Sequence, residues 1–166
     1  MLAQVSTLKI MSHAIPHGFN SLSAHLIVGD GAAAIEFYKK AFDAQETMRL
    51  MTPDGKSLMH AQMKIGNSML MLAGEFPPRC LAPKSRGGTS VFLHLYTEQA
   101  DALFDRAVQA GCQINMPMSD TFWGDRYGQV EDPFGHQWSI ASHRQDLTPD
   151  QLAANAKEFL ATLPNK

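Results

Sequence analysis

Three histidines are spaced as strands would need in order to gather them. His25 lies in SAHLIV, His60 in SLMHAQM and His94 in FLHLY. Side chains alternate between the two faces of a strand. His25 therefore shares a face with Ser23 and Ile27, His60 with Gln62, and His94 with Phe92 and Tyr96. Three imidazoles suffice to hold a catalytic Zn²⁺, and a neutral imidazole near pH 7 can act as a general base. The plainer reading is a pair, His25 and His94, that orients a polar ligand by hydrogen bonds. A second group, Trp123, Asp125, Arg126 and Tyr127, sits in FWGDRYG. A ring beside an acid and a guanidinium can cap a cleft over an anionic or planar ligand. The alternative is scaffolding, with Gly124 and Gly128 permitting a bend and Asp125 and Arg126 satisfying the local backbone or each other. His136, in DPFGH, reads as a turn residue. No phosphate-binding loop, dinucleotide fingerprint, HExxH or nucleophile elbow occurs in the chain.

The elements that would position these residues come in two similar sets. SLSAHLIV is strand-like, and AAAIEFYKKAF follows with Ile35, Tyr38 and Phe42 at helical spacing behind Asp30, a suitable N-cap. ETMRLMT, SLMHAQMKI and SMLMLA are strand-like, parted by Pro53-Asp54-Gly55 and by the hairpin signal Gly66-Asn67. After a Pro- and Gly-rich stretch the order repeats. TSVFLHLY is a strand, and DALFDRAVQAG is a helix with Leu103, Ala107 and Ala110 on one side. INMPM, TFWGDRYGQVE and HQWSIAS complete the second set, and DQLAANAKEFLATL after Thr148-Pro149 is a terminal helix. His25 and His94 are 69 residues apart, whereas Ile35 and Leu103, and Leu70 and Trp138, are 68 apart. One order of landmarks at nearly one offset indicates an α+β fold of two βαβββ modules. They would form an open, barrel-like mixed sheet around a cleft. The expected limits are an arm over 1–19, module one over 20–75, a linker over 76–88, module two over 89–144, and a helix and tail over 145–166.

Alternation also assigns the remaining wall residues. Leu70 and Leu72 turn toward the helix, so Met69 and Met71 turn toward the cleft. Trp138 and Ile140 turn toward the helix, so Gln137 and Ser139 turn inward. Apolar walls with a few polar groups suit a small molecule, and methionines adapt to its shape. Net charge is −2 with acids and bases interspersed, which argues against a nucleic-acid partner. No apolar run reaches the roughly 18 residues of a membrane span. Cys80 and Cys112 form neither a metal spacing nor a disulfide framework, which suits a reduced cytoplasm.

SAHLIVGDGAAAIEFYKKAF and FWGDRYGQVEDPFGHQWSIASH resemble the vicinal oxygen chelate superfamily, the group of glyoxalase I, bleomycin-resistance proteins and extradiol dioxygenases. The PhnB-like branch shows the closest likeness, over roughly residues 14 to 144. The resemblance implies paired modules, a U-shaped cleft and a homodimer. It further implies that metal-dependent members hold a divalent ion with His or Glu on the first and last strand of each module. Those positions fall here on Ser23, Met71, Phe92 and Ser139. Divalent cations need oxygen or imidazole donors, so no metal and no other cofactor is expected at these four. Two readings stay open. One is a metal-free protein that binds a small organic molecule. The other is an enzyme of lyase, isomerase or dioxygenase type, using His25, His60 and His94 as a displaced metal site or for acid–base work. The terminal helix, with Leu152, Phe159 and Leu160 on one side, is expected to cover a partner subunit or the chain's own sheet.

Overall fold

A computed structural model describes residues 13–162. Most of the arm expected over 1–19 lies outside the described residues, and its described part contains a turn closed by Phe19 N donating to Pro16 O at 3.0 Å. Among the described residues, no helix is long and apolar enough to cross a membrane.

Module one runs β1 (Ala24–Val28), α1 (Gly31–Phe42), β2 (Gln45–Met51), β3 (Leu58–Ile65) and β4 (Ser68–Gly74). Asp30 caps α1 by accepting from Ala33 N at 2.9 Å. Strand order is β1-β4-β3-β2, with β1 parallel to β4 and the other pairs antiparallel. Module two repeats this as β5 (Phe92–Tyr96), α3 (Ala100–Ala110), β6 (Gln113–Asp120), β7 (Asp125–Glu131) and β8 (Gln137–His143), ordered β5-β8-β7-β6. The duplicated α+β architecture is present as two four-stranded sheets, with no barrel closure. The linker carries a short helix, α2 (Pro83–Arg86), which a Pro at the helix start permits.

Four boundaries differ from expectation by two residues or more. Thr89, Ser90 and Val91 of TSVFLHLY precede β5. Ser23 precedes β1. β6 extends past INMPM to Asp120. Residues 121–124 form a turn rather than strand, so β7 starts at Asp125. Thr121 closes that turn, since Asp125 N donates to its hydroxyl, which in turn donates to Asp125 O.

Alternation assigns Leu26, Val28, Ala61, Met63, Leu70 and Leu72 of module one and Leu93, Leu95, Trp138 and Ile140 of module two to the helix side. All are buried except Leu93 and Leu95, which are half-buried on the strand that borders the cleft. Helices α1 and α3 pack against each other, and both modules share one apolar cluster. At its centre the Phe42 and Trp138 rings lie 4.3 Å apart. Asp132, in the turn between β7 and β8, is 2% exposed yet fully satisfied. Its Oδ2 accepts from Tyr38 Oη at 2.7 Å and Trp138 Nε1 at 2.9 Å, and its Oδ1 accepts from Phe134 N and His136 N. Burial first, then the charge of Asp132, pushes the Tyr38 phenol well above its usual range, so it remains a donor. His136 is in the turn as expected and is also buried, its Nε2 3.1 Å from Ile27 O of β1.

The terminal helix, α4 (Pro149–Thr162), covers no sheet: none of its residues is buried. It rides on the turn before β7, through Asn155 Nδ2 donating to Phe122 O at 3.1 Å and Phe122–Phe159 ring contact. Thr148 and Gln151 form a reciprocal cap at its start.

Candidate functional site

The face of each sheet turned away from its helix carries the chemistry. Register places His25, Met71, Gln62 and Met48 in one cross-strand row of module one. It places His94, Ser139, Gln129 and Met116 in the corresponding row of module two. Both rows read His, a variable residue, Gln, Met from one edge strand to the other. Gln129, Met48 and Met116 were not anticipated, although the repeat that relates His25 to His94 also relates these positions.

The variable residue makes the two rows chemically different. Ser139 is 1% exposed, and its Oγ lies 2.8 Å from His94 Nδ1. That contact fixes the ring and leaves Nε2 without a protein partner among the described residues. Met71 offers His25 no such bond, and His25 instead meets His60 edge to face, with ring centroids 5.6 Å apart. Burial lowers the pKa of both His25 and His94. The neighbouring His60 adds to the effect on His25, while Asp125 partly opposes it at His94. Both shifts favour the neutral form of the ring.

Around His94 module two builds an aromatic and acidic network. The His94 ring lies 4.4 Å from Tyr96 and 5.9 Å from Tyr127, and Tyr127 lies 5.4 Å from Trp123. Asp125, 3% exposed, accepts from Tyr96 Oη at 3.0 Å and Trp123 Nε1 at 3.1 Å, and lies 2.8 Å from His143 Nδ1. Burial pushes the Asp125 carboxyl up, but the bonds from His143, Tyr96 and Trp123 outweigh it and leave its pKa lowered. The Asp125 bond raises Tyr96, and Asp125 followed by Asp146 raises His143. His143 went unrecognised in the sequence because its partner is 18 positions away, on the adjacent strand.

Arg126 departs from the expected group. It turns from the Tyr127 side toward α3, where its guanidinium pairs with Asp101 at 2.7 Å and Asp120 at 3.5 Å, not with Asp125. Strand alternation explains this, since neighbours along β7 must face opposite ways.

A cleft of about 1070 Å³ opens beside β5 and the starts of β1 and β4. Of the expected site residues it brings together Ser23, Met69, Phe92, His94 and Tyr96. His25, His60, Gln62 and Met71 form a separate group on module one, while Trp123, Asp125, Tyr127 and Ser139 support the His94 side. No aromatic contact joins His94 to the His25–His60 pair, and among the described residues no three His, Cys, Asp or Glu side chains converge as a cation site. The donors at Ser23, Met71, Phe92 and Ser139 do not suit a divalent ion: a thioether, a phenyl ring, a hydroxyl committed to His94, and a hydroxyl donated to Asn20 O.

The Glyoxalase/Bleomycin resistance protein/Dioxygenase superfamily model matches residues 16–140. Uncharacterized protein Mb0911c of Mycobacterium bovis is 45% identical over 138 residues, covering 81% of this chain and 90% of that one. The crystal structure of TioX from Micromonospora has a TM-score of 0.61 at 25% identity, over 75% of this chain and 98% of that one. Fosfomycin resistance protein FosX from Listeria monocytogenes, complexed with Mn(II) and sulfate, has a TM-score of 0.56 at 15% identity, over 82% and 97% of the two chains. At that identity the likeness concerns fold alone.

Proposed function

The chain belongs to the Glyoxalase/Bleomycin resistance protein/Dioxygenase superfamily, and on that premise we propose that its cleft takes up a small organic molecule without a resident metal ion. The observation that carries this reading is the chemistry at Ser23, Met71, Phe92 and Ser139. These are the positions where metal-dependent members would place His or Glu; here the two serine hydroxyls sit in internal hydrogen bonds, and Met71 and Phe92 carry no donor suited to a divalent ion. The cleft wall supplies rings at Phe92, His94 and Tyr96 and a thioether at Met69. Such a wall binds by burial and stacking, with His94 Nε2 available to orient one polar group.

The arrangement favours His94 over His25 for any proton transfer. The Ser139 contact, which His25 lacks, orients its imidazole and leaves Nε2 free among the described residues. An enzyme working by acid–base chemistry through His94 is therefore the second reading. We further propose a homodimer. Leu22, Val91 and Phe92 expose apolar surface around the cleft, and contiguous exposed apolar surface marks an interaction site. The free thiols of Cys80 and Cys112 suit a reduced compartment such as the cytoplasm.

Elemental analysis of the purified protein, with native mass spectrometry for retained compounds, tests the central proposal. The expected result is substoichiometric metal and an organic adduct. A stoichiometric divalent ion whose removal abolishes ligand binding would overturn it.

A further inference from the structure

The charges bordering the cleft are unbalanced. Lys64, on the open face of β3, and Arg106, on α3, both line it. Both are exposed, and neither joins an ion pair among the described residues. Asp43, which follows α1, is the one carboxylate among the cleft-lining residues. Asp125 lies behind Tyr96, where it is nearly buried and already accepts from Tyr96 and Trp123. Arg106 also borders a second hollow that Glu98 lines, yet the two form no ion pair. The remaining polar groups of the cleft, including Asn20, Gln45 and Asn67, are neutral. The same cleft is lined by the rings of Phe92, His94 and Tyr96.

We infer that the ligand class of this cleft is an aromatic anion, with its ring on the Phe92–His94–Tyr96 wall and its carboxylate or phosphate met by Lys64 and Arg106. The inference rests on the cleft being the ligand site, as proposed above. Arg offers a planar fork that matches carboxylate and phosphate oxygens, and Lys adds a mobile point charge. Neither must first give up a protein partner in order to bind.

Isothermal titration of the full-length protein distinguishes the possibilities. The probes are naphthoate and naphthyl phosphate, with naphthamide and naphthol as neutral counterparts. The anions are expected to bind about tenfold more tightly than the neutral compounds, and added salt should narrow the gap. The double substitution Lys64→Gln and Arg106→Gln should abolish the preference and leave the melting temperature of the free protein unchanged, since both residues are exposed. Equal affinity for acids and neutral compounds would overturn the charge assignment and leave the cleft as a ligand site. A preference that survives the double substitution would also overturn it, by placing the anion elsewhere. Failure of all four probes to bind would overturn the cleft reading as well.

Discussion

Substituting Asp132 by Ala tests whether one buried carboxylate joins the two modules. Asp132 lies in module two, and one of its donors, Tyr38, comes from α1 of module one, 94 positions earlier. The substitution leaves the Tyr38 hydroxyl and the Trp138 indole N–H without an acceptor where water does not reach, since Tyr38 is fully buried and Trp138 nearly so. An orphaned buried donor costs about 1–3 kcal/mol, so the two together cost about 2–6 kcal/mol, and the freed turn N–H groups of Phe134 and His136 add to this. A loss of about 4 kcal/mol is a large part of a typical stability of roughly 5–15 kcal/mol. With a urea slope of about 2 kcal/mol/M, the unfolding midpoint should fall by about 2 M. Tyr38→Phe removes one of the four donors and leaves Asp132 the other three, so it should cost about 1–2 kcal/mol. Because the two residues share a bond, their effects should be less than additive in the double variant. An Asp132→Ala midpoint shift below about 0.5 M, which is about 1 kcal/mol at that slope, would refute the reasoning. Strict additivity of the two substitutions would refute it too.

Three further predictions concern the site's surroundings. The pKa of His143 is raised in the folded protein by Asp125 and then Asp146. Its stabilisation should be complete below its unfolded value near 6.5 and lost as pH rises through the raised folded value. Urea midpoints measured across that window should show a downward slope with rising pH that His143→Asn flattens. Gly124 has φ +94°, and a Cβ there would lie 2.5 Å from Gln145 O, a backbone atom. Gly124→Ala should therefore cost about 1–3 kcal/mol and expose the amides of Arg144 and Gln145, which donate to Gly124 O, to faster hydrogen exchange. Unchanged protection of those amides would contradict this account. Burial pushes the Cys112 thiol up to about 12, so alkylation of the native protein near neutral pH should label the half-buried Cys80 first and Cys112 only on unfolding.

The open face of module two combines solvent-accessible rings with buried groups that hold them. Ser139 and Asp125 are both nearly inaccessible, yet each fixes the position of a ring that solvent can reach: Ser139 fixes His94, and Asp125 fixes Tyr96. Substituting either should disturb the rings of the cleft wall without removing one of them. Module one lacks this support, because Met71 stands where Ser139 stands. The two rows thus differ in which histidine is held in place.

The sequence alone determined which residues share a face. Alternation along a strand follows from backbone geometry within a few residues. Leu26, Leu70, Leu72, Trp138 and Ile140 therefore lie under the helices as read, and His25, Gln62, Met71 and His94 lie on the open faces. The repeat in the sequence made the module order legible for the same reason. What only the tertiary structure decided is which of these residues meet. Tyr38 reaches Asp132, His143 reaches Asp125, and Arg126 leaves its neighbour Asp125 for Asp101 on α3. Those pairings depend on how strands and helices of distant sequence are set side by side, and no local spacing encodes that.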